Sequence, residues 1–424
     1  MRKKALAVAA IGVSAALALA GCASSSGSGS SDAEGANIRV WLVGTDTPDE
    51  ARDYLKTTFE SEHPGSTLTI EEQSWTGLVD KLTTSLSGSD SPDVVEVGNT
   101  QAAAFTSAGA FLPLDDEYDA LGGDDLLPGF VEAGTYDGTF YAAPYYSGSR
   151  VVFYKKDLLA NAGLQPPTTL DEYVADGATL AAANPGVSGI YFPGQDWYNA
   201  LPYIWENGGE IAVQDGDTWK SSFSSPESIK GLEQVQQVMI TASVAPKDGN
   251  EADAQIPYCE GSIAMLSAPS WIKGSILAPA DSKTPGCADQ ESNLGVFALP
   301  GKDGGAAQVF AGGSNVAVAA KSAHPDLAKS ALEIMLSDEY QTILGENGLV
   351  PAKISLADTI GTDEVAQAIT AAAANAKLTP ASPKWADVEA SGALQDFFVQ
   401  IAQGGDVPTL AKALDEKIDS ILNG

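Results

Sequence analysis

From Ile38 onward the chain alternates short β-branched runs with capped helical stretches, and this rhythm restricts the fold more than any other feature. Residues 38–43 form an apolar strand candidate. Thr47-Pro48-Asp49-Glu50 follows, with Thr at the N-cap, Pro at the first helical position and Glu at the third, a capping box. Residues 68–70, 78–86, 94–97 and 101–105 then read in turn as strand, helix, strand and the start of a helix. Such alternation argues for an α/β fold with a parallel-type sheet. Open sheets of this kind place ligands beyond the C-terminal ends of their strands, so Gly44-Thr45-Asp46 and Gly98-Asn99-Thr100 are prime positions.

A turn-rich aromatic stretch, 141–149, breaks the rhythm before a strand at 151–154. Thr169-Leu170-Asp171-Glu172 repeats the capping-box signature, and Ser225-Pro226-Glu227 caps another helix. Residues 294–299 read as a strand ending at Pro300-Gly301, 316–318 as a strand and 325–336 as a helix. The chain after Gly348 is alanine-rich and helical. No repeat of 20–50 residues is present.

The first residues stand outside this pattern. Arg2, Lys3 and Lys4 precede an apolar run, 5–20, shorter than the ~20 residues that cross a bilayer as a helix. It reads as the core of a signal peptide, residues 1–21. Its end, Leu19-Ala20-Gly21-Cys22, resembles the bacterial lipobox, in which cleavage precedes a cysteine that carries a diacylglyceryl group. Ordinary cleavage with Cys22 a chance residue is the alternative. The Ser/Gly tract that follows has too little apolar surface to offset ordering entropy, so 22–36 reads as a flexible tether between a lipid anchor and a folded body.

About 390 residues remain, enough for two lobes or domains. The formal charge of −33 becomes −36 once Arg2, Lys3 and Lys4 are removed. A body that acidic repels phosphate backbones, which argues against nucleic acid as a partner. With Cys22 lipidated, Cys259 and Cys287 form an even pair in an oxidising compartment. A bond between them would close a loop of ~30 residues and add about 3 kcal/mol in the chain-entropy model; two buried free thiols are the other reading.

Four segments carry a family resemblance: Pro92-Asp93-Val94-Val95-Glu96-Val97-Gly98-Asn99-Thr100, Phe153-Tyr154-Lys155-Lys156-Asp157-Leu158, Gly261-Ser262-Ile263-Ala264-Met265 with Ser270-Trp271, and Phe310-Ala311-Gly312-Gly313-Ser314. Their order and spacing resemble the family 1 extracellular solute-binding proteins, the group that includes the maltose-binding protein. The resemblance covers nearly the whole mature chain. It implies two α/β lobes joined by a hinge, with a sugar in the cleft between them. By analogy the chain crosses the hinge near 145–150, 298–300 and 346–350. Lobe 1 is then 37–145 with 300–346, and lobe 2 is 147–298 with 350–424. The resemblance also implies a monomer anchored by its lipid on the outer face of the cell membrane, which delivers a neutral sugar to the permease subunits of an ABC importer and needs no cofactor. The loop 194–199 and Gly98-Asn99-Thr100-Gln101 look most like the subgroup that takes chitobiose and related disaccharides. Many relatives carry an acidic residue at the place of Gly148, and this chain departs from them there.

A sugar offers directed hydroxyls and apolar C–H faces, so its site needs Asp, Asn, Gln or Arg beside flat aromatics. Of seven Trp, Trp41 and Trp205 read as core and Trp219 as a surface aromatic. Trp271 and Trp385 fall where the family stacks sugars, Trp197 lies in a polar loop, and Trp75 starts a helix beside the cleft. Thr45, Asp46, Asn99, Thr100 and Gln101 follow strand ends, where turn and cap roles compete with binding. Asp196 neighbours Trp197, and Tyr146 lies on the first crossing. Gly313 and Ser314 either let backbone approach a ligand or form a turn before a strand.

Enzyme signatures mostly fail. Two histidines, each before a proline, make no zinc cluster, and there is no nucleophile elbow, P-loop or EF-hand loop. Fifty-six acidic residues guarantee some close carboxylate pairs, so composition leaves a lipid-anchored glycoside hydrolase as the rival reading. A peptide- or polyamine-binding protein fits the sugar-type motifs less well.

Overall fold

The computed structural model describes residues 35–216, 218–282, 285–380 and 382–424, so the expected signal peptide, Cys22 and most of the expected tether lie outside the described residues. Among the described residues, no helix is long and apolar enough to cross a membrane. Strand β1 (Asn37–Val43) shows the logic of the first lobe. Ile38, Val40 and Leu42 project to one side of the sheet, Trp41 and Val43 to the other, and both sets join buried clusters. Burial on both faces is what parallel strands require. β1 pairs in parallel with β2 (Thr67–Gln73) and β3 (Val94–Gly98).

Two long strands then carry the sheet out of this lobe. β6 (Ala142–Lys155) is buried along all 14 residues, and β12 (Val309–Val318) runs antiparallel to both β6 and β3. The sheet order is β2-β1-β3-β12-β6-β10-β7, with β10 (Ile263–Pro269) antiparallel to β6 and parallel to β7 (Ser188–Ile190). β11 (Leu294–Phe297) and β13 (Val350–Pro351) also pair with β6. Two hairpins lie off the sheet: β4 (Thr135–Tyr136) with β5 (Thr139–Phe140), and β8 (Ala212–Asp215) with β9 (Thr218–Ser221).

The crossing strands divide their side chains between two cores. Tyr145 and Tyr146 of β6 and Val316 and Val318 of β12 belong to the first. Val151 to Tyr154 and Val309-Phe310 belong to the second, which also holds Leu170, Trp205, Val235 and Phe398. The result is a two-lobed α/β fold. The sheet is mixed, because strands that cross between lobes run antiparallel to their neighbours.

Several sequence expectations need correction. Residues 142–149 of that stretch are the first half of β6, not a turn: Tyr145 and Tyr146 bury in the first core. The second crossing lies at Gly312-Gly313, not near 298–300, because Leu299, Ala307, Val309 and Phe310 still pack in the second core. Gly313 has φ 133°, and a Cβ there would fall 2.3 Å from the Tyr146 carbonyl oxygen, so the close crossing demands glycine. Past 346 the chain faces both cores: Leu349 and Ala352 pack in the first and Val350 in the second. Most of Ile354–Ile360 stays with the first lobe, where Ser355 N–H donates to Asp125 at 2.9 Å and a Cβ on Gly345 would lie 1.8 Å from Thr359 Oγ1, while Ile360 packs on the second core. Helix Glu364–Ala373 is the first element after it to enter the second core.

Helix starts follow the sequence at Thr169, whose capping box with Glu172 is complete, and at Ser225, which caps Pro226–Thr241. They do not at Thr47. Helix Asp49–Glu62 has no side-chain cap, because the Thr47 hydroxyl is buried and bonded to Tyr145 Oη at 2.8 Å. Cys259 and Cys287 are bonded, with Cα atoms 5.4 Å apart.

Candidate functional site

The C-terminal ends of β1 and β3 meet the crossing strands, and four of the expected residues gather there. Asp46 follows β1, Tyr146 lies on β6, and Trp75 and Trp271 flank them. Tyr146 Oη donates to Glu96 Oε1 at 3.1 Å and lies 3.4 Å from Asp46 Oδ2. Burial pushes the Asp46 carboxyl up to about 6, against hydrogen bonds from Trp75 and Tyr146 and the charge of Arg52. Trp75 is 41% exposed. Its indole lies against the two glycines at the strand ends: a Cβ on Gly44 would be 3.2 Å from Nε1, and one on Gly98 would be 3.5 Å from Cζ3. The glycines thus give the ring room beside Asp46.

Trp271 follows β10 of the second lobe and reaches back over the hinge. Its ring stands edge-on to Tyr146, centroids 6.3 Å apart at 84°. A Cβ on Gly148 would lie 1.8 Å from Trp271 Cζ3, and one on Gly312 would be 3.3 Å from Cη2. The departure at Gly148 therefore has a steric basis: the indole occupies the space a side chain would fill.

Glu96 is the residue the sequence reading missed. It sits fully buried in β3, where Oε2 accepts from Val43 N–H at 2.7 Å and Oε1 accepts from Ser314 Oγ at 2.6 Å. Burial pushes its carboxyl up to about 7, opposed by those hydrogen bonds. A lone acid inside Val-Val-Glu-Val was the available signal, since charged residues are almost never fully buried unless paired. Ser314 is therefore committed to Glu96 within the hinge.

The β3 end holds the remaining loop residues in different roles. Asn99 Nδ2 donates to the Ala311 carbonyl at 2.8 Å, tying the loop to β12. Thr100 Oγ1 donates to Glu389 Oε2 of the second lobe at 2.9 Å, and burial pushes that carboxyl up to about 7. Gln101 Oε1 is buried without a hydrogen-bond partner among the described residues. Thr45 is exposed beside Asp46.

The expected platforms Trp197 and Trp385 are core residues, 2% and 0% exposed. Trp197 packs on Tyr198 at 3.9 Å and lies 6.4 Å from Trp385, whose Nε1 donates to Glu389 Oε1 at 3.1 Å. The polar letters around Trp197 turn inward rather than out. Asp196 is buried and accepts from Asn199 N–H at 3.2 Å and from Nδ2 at 2.5 Å, while Asn199 also bonds Ser267. Burial and the charge of Glu251 raise the Asp196 carboxyl. Tyr198, which the sequence reading passed over, is half-buried against Phe310 and lies under Arg150, which forms a two-pronged ion pair with Glu251 at 2.6 and 2.7 Å.

Chemically, the hinge end offers a hydroxyl acceptor, an exposed indole and a second indole across the lobes, set on rigid strands. That arrangement suits a polar ligand with an apolar face. Two lobes sharing crossing strands, with such a cluster between them, define a bilobal binding protein.

Comparison with known proteins agrees. The model of the bacterial extracellular solute-binding protein family matches residues 44–342, and the chain belongs to that family. Its members are binding proteins, not enzymes. The chain is 32% identical over 394 residues to the diacetylchitobiose-binding protein of Streptomyces coelicolor, covering 92% of this chain and 90% of that protein. An arabinooligosaccharide-binding protein of Halalkalibacterium halodurans is 23% identical, over 61% of this chain and 58% of that protein. In fold, the chain is similar to the GacH receptor of Streptomyces glaucescens (TM-score 0.79, 22% identity, 92% of this chain and 99% of that one). It is also similar to the sugar-binding protein MalE of Xanthomonas citri (TM-score 0.76, 22% identity, 91% and 97%).

Proposed function

We propose that this chain captures a neutral mono- or oligosaccharide between its lobes and passes it to the permease of an ABC importer. The carrying observation is the cluster of Asp46, Trp75, Tyr146 and Trp271 at the strand ends beside the hinge. The name of the Streptomyces coelicolor relative favours an N-acetylglucosamine disaccharide as the first ligand to try. Closure of the lobes requires the sugar to bind one arrangement better than the other, which a ligand touching both lobes achieves. A thermal-shift screen over neutral mono- and oligosaccharides tests the reading. A ligand at a hundred times its Kd adds about 2.7 kcal/mol, an upward shift of a few degrees. Melting that no sugar moves contradicts it.

The finer reading is a lipoprotein held at the outer face of the cell membrane through Cys22. Leu19-Ala20-Gly21-Cys22 supports it. Mass spectrometry of the membrane fraction is expected to find a diacylglyceryl excess on an N-terminal peptide starting at Cys22, and an unmodified peptide starting elsewhere overturns it.

A further inference from the structure

Among the four side chains gathered beside the hinge, Trp271 alone follows a strand of the second lobe, and little packing holds it there. It leads into a single helical turn, Ile272–Ile276, in which only Ile276 is buried. A helix this short is unstable by itself, so its ends must be fixed from outside. The near end is tied to the crossing segments: Ser270 N–H donates to the Ser149 carbonyl at 3.1 Å, and Ser270 Oγ donates to the Gly348 carbonyl at 3.1 Å.

The far end is tied through the disulfide. The Ile276 carbonyl, one of the last-turn acceptors that a helix leaves unpaired, accepts from Cys287 N–H at 2.7 Å. A Cβ on Gly286 would fall 2.4 Å from the Ser275 carbonyl oxygen, so the chain before Cys287 lies directly on the helix end. Cys287 is bonded to Cys259, the last residue of helix Gln255–Cys259. That helix is itself anchored on β6. Gln290 Nε2 donates to the Cys259 carbonyl at 3.1 Å, and Gln290 Oε1 accepts from Lys155 Nζ at the end of β6. The Lys155 ammonium also lies 4.4 Å from the centre of the Tyr258 ring. One covalent bond and these contacts thus join the helix after Trp271 to the strand that carries Tyr146, the ring Trp271 meets edge-on.

We propose that the Cys259–Cys287 bond is a positioning element of the binding site: it fixes the far end of helix Ile272–Ile276 and so holds the Trp271 ring where it meets the ligand. The inference rests on the sugar-binding reading above.

Calorimetric titration with diacetylchitobiose, and in parallel with maltotriose, tests it on four chains: wild type, Cys259→Ser with Cys287→Ser, Trp271→Ala, and all three substitutions together. The serine pair frees cysteine positions 28 residues apart and is expected to melt lower, so titrations are run well below its melt. It is expected to weaken binding by about three- to tenfold, the worth of one misplaced aromatic face. In the Trp271→Ala background the same pair is expected to change Kd by less than about twofold, since the ring it positions is gone. A general loosening of the lobe would instead lower affinity equally in both backgrounds. That result overturns the positioning role, as does a folded serine pair that binds like wild type. Should the pair not fold, wild type and Trp271→Ala titrated in excess phosphine supply the same comparison: the S–S bond opens to two thiols as the phosphine takes up the oxygen of one water. Wild-type binding that Trp271→Ala leaves unchanged overturns the inference and leaves the sugar-binding reading intact. Absence of binding by wild type to both sugars overturns the two together.

Discussion

Asp46 stands in a setting that ties ligand affinity to pH. Its carboxyl is held up to about 6, above the ordinary 3.8. Above that value it is charged and accepts two or more hydroxyl protons; below it, the added proton removes one acceptor. Sugar affinity is therefore expected to fall as pH drops from about 7.5 to about 5. Asp46→Asn, always neutral, is expected to bind more weakly at the higher pH and to lose the part of the slope centred near 6. Calorimetric titrations at the two pH values check this, and a wild-type affinity that rises on acidification contradicts it. The position of Asp46 just beyond a strand was legible from the sequence because the β-branched run and the turn after it are local signals. Trp197 and Trp385 misled because type and neighbouring letters do not tell which way a large ring turns: polar Asp196 and Asn199 satisfy each other inside the fold. Glu96 hid for the same reason in reverse, its partners coming from segments distant in sequence.

At the scale of elements, the hinge is made by close approach. Gly148, Gly312 and Gly313 let β6 and β12 lie together under Trp271. Gly148→Ala places a methyl 1.8 Å from the indole carbon Cζ3, so the ring must leave its position. Overpacking of this kind is expected to lower stability by about 1–3 kcal/mol, and displacement of Trp271 is expected to weaken sugar binding as well. Thermal melts and titrations read the two effects separately; unchanged affinity would take Trp271 out of the site. Helices and short strands were legible because periodicity and caps are local, as at Thr169 and Ser225. The crossings were placed only approximately because they depend on which core takes each side chain. Pro300-Gly301 looked like punctuation, yet the neighbouring Leu299 remains in the second core.

For the whole molecule, the acidity and the division into two lobes were readable from the chain, and the apolar run before Cys22 carried the expectation of export. Sugar identity was not readable, because discrimination among sugars rests on directed hydrogen bonds assembled from both lobes. Calorimetric titration of wild type and Trp75→Ala with diacetylchitobiose tests the central claim most directly. Trp75 is 41% exposed, so its removal is expected to leave the melting temperature nearly unchanged. Loss of its stacking face and apolar contact is expected to weaken binding by about 1–3 kcal/mol, roughly tenfold to a hundredfold in Kd. The account predicts saturable one-to-one binding by wild type and that loss in the variant; wild-type binding that Trp75→Ala leaves unchanged would contradict the placement of the sugar between the lobes.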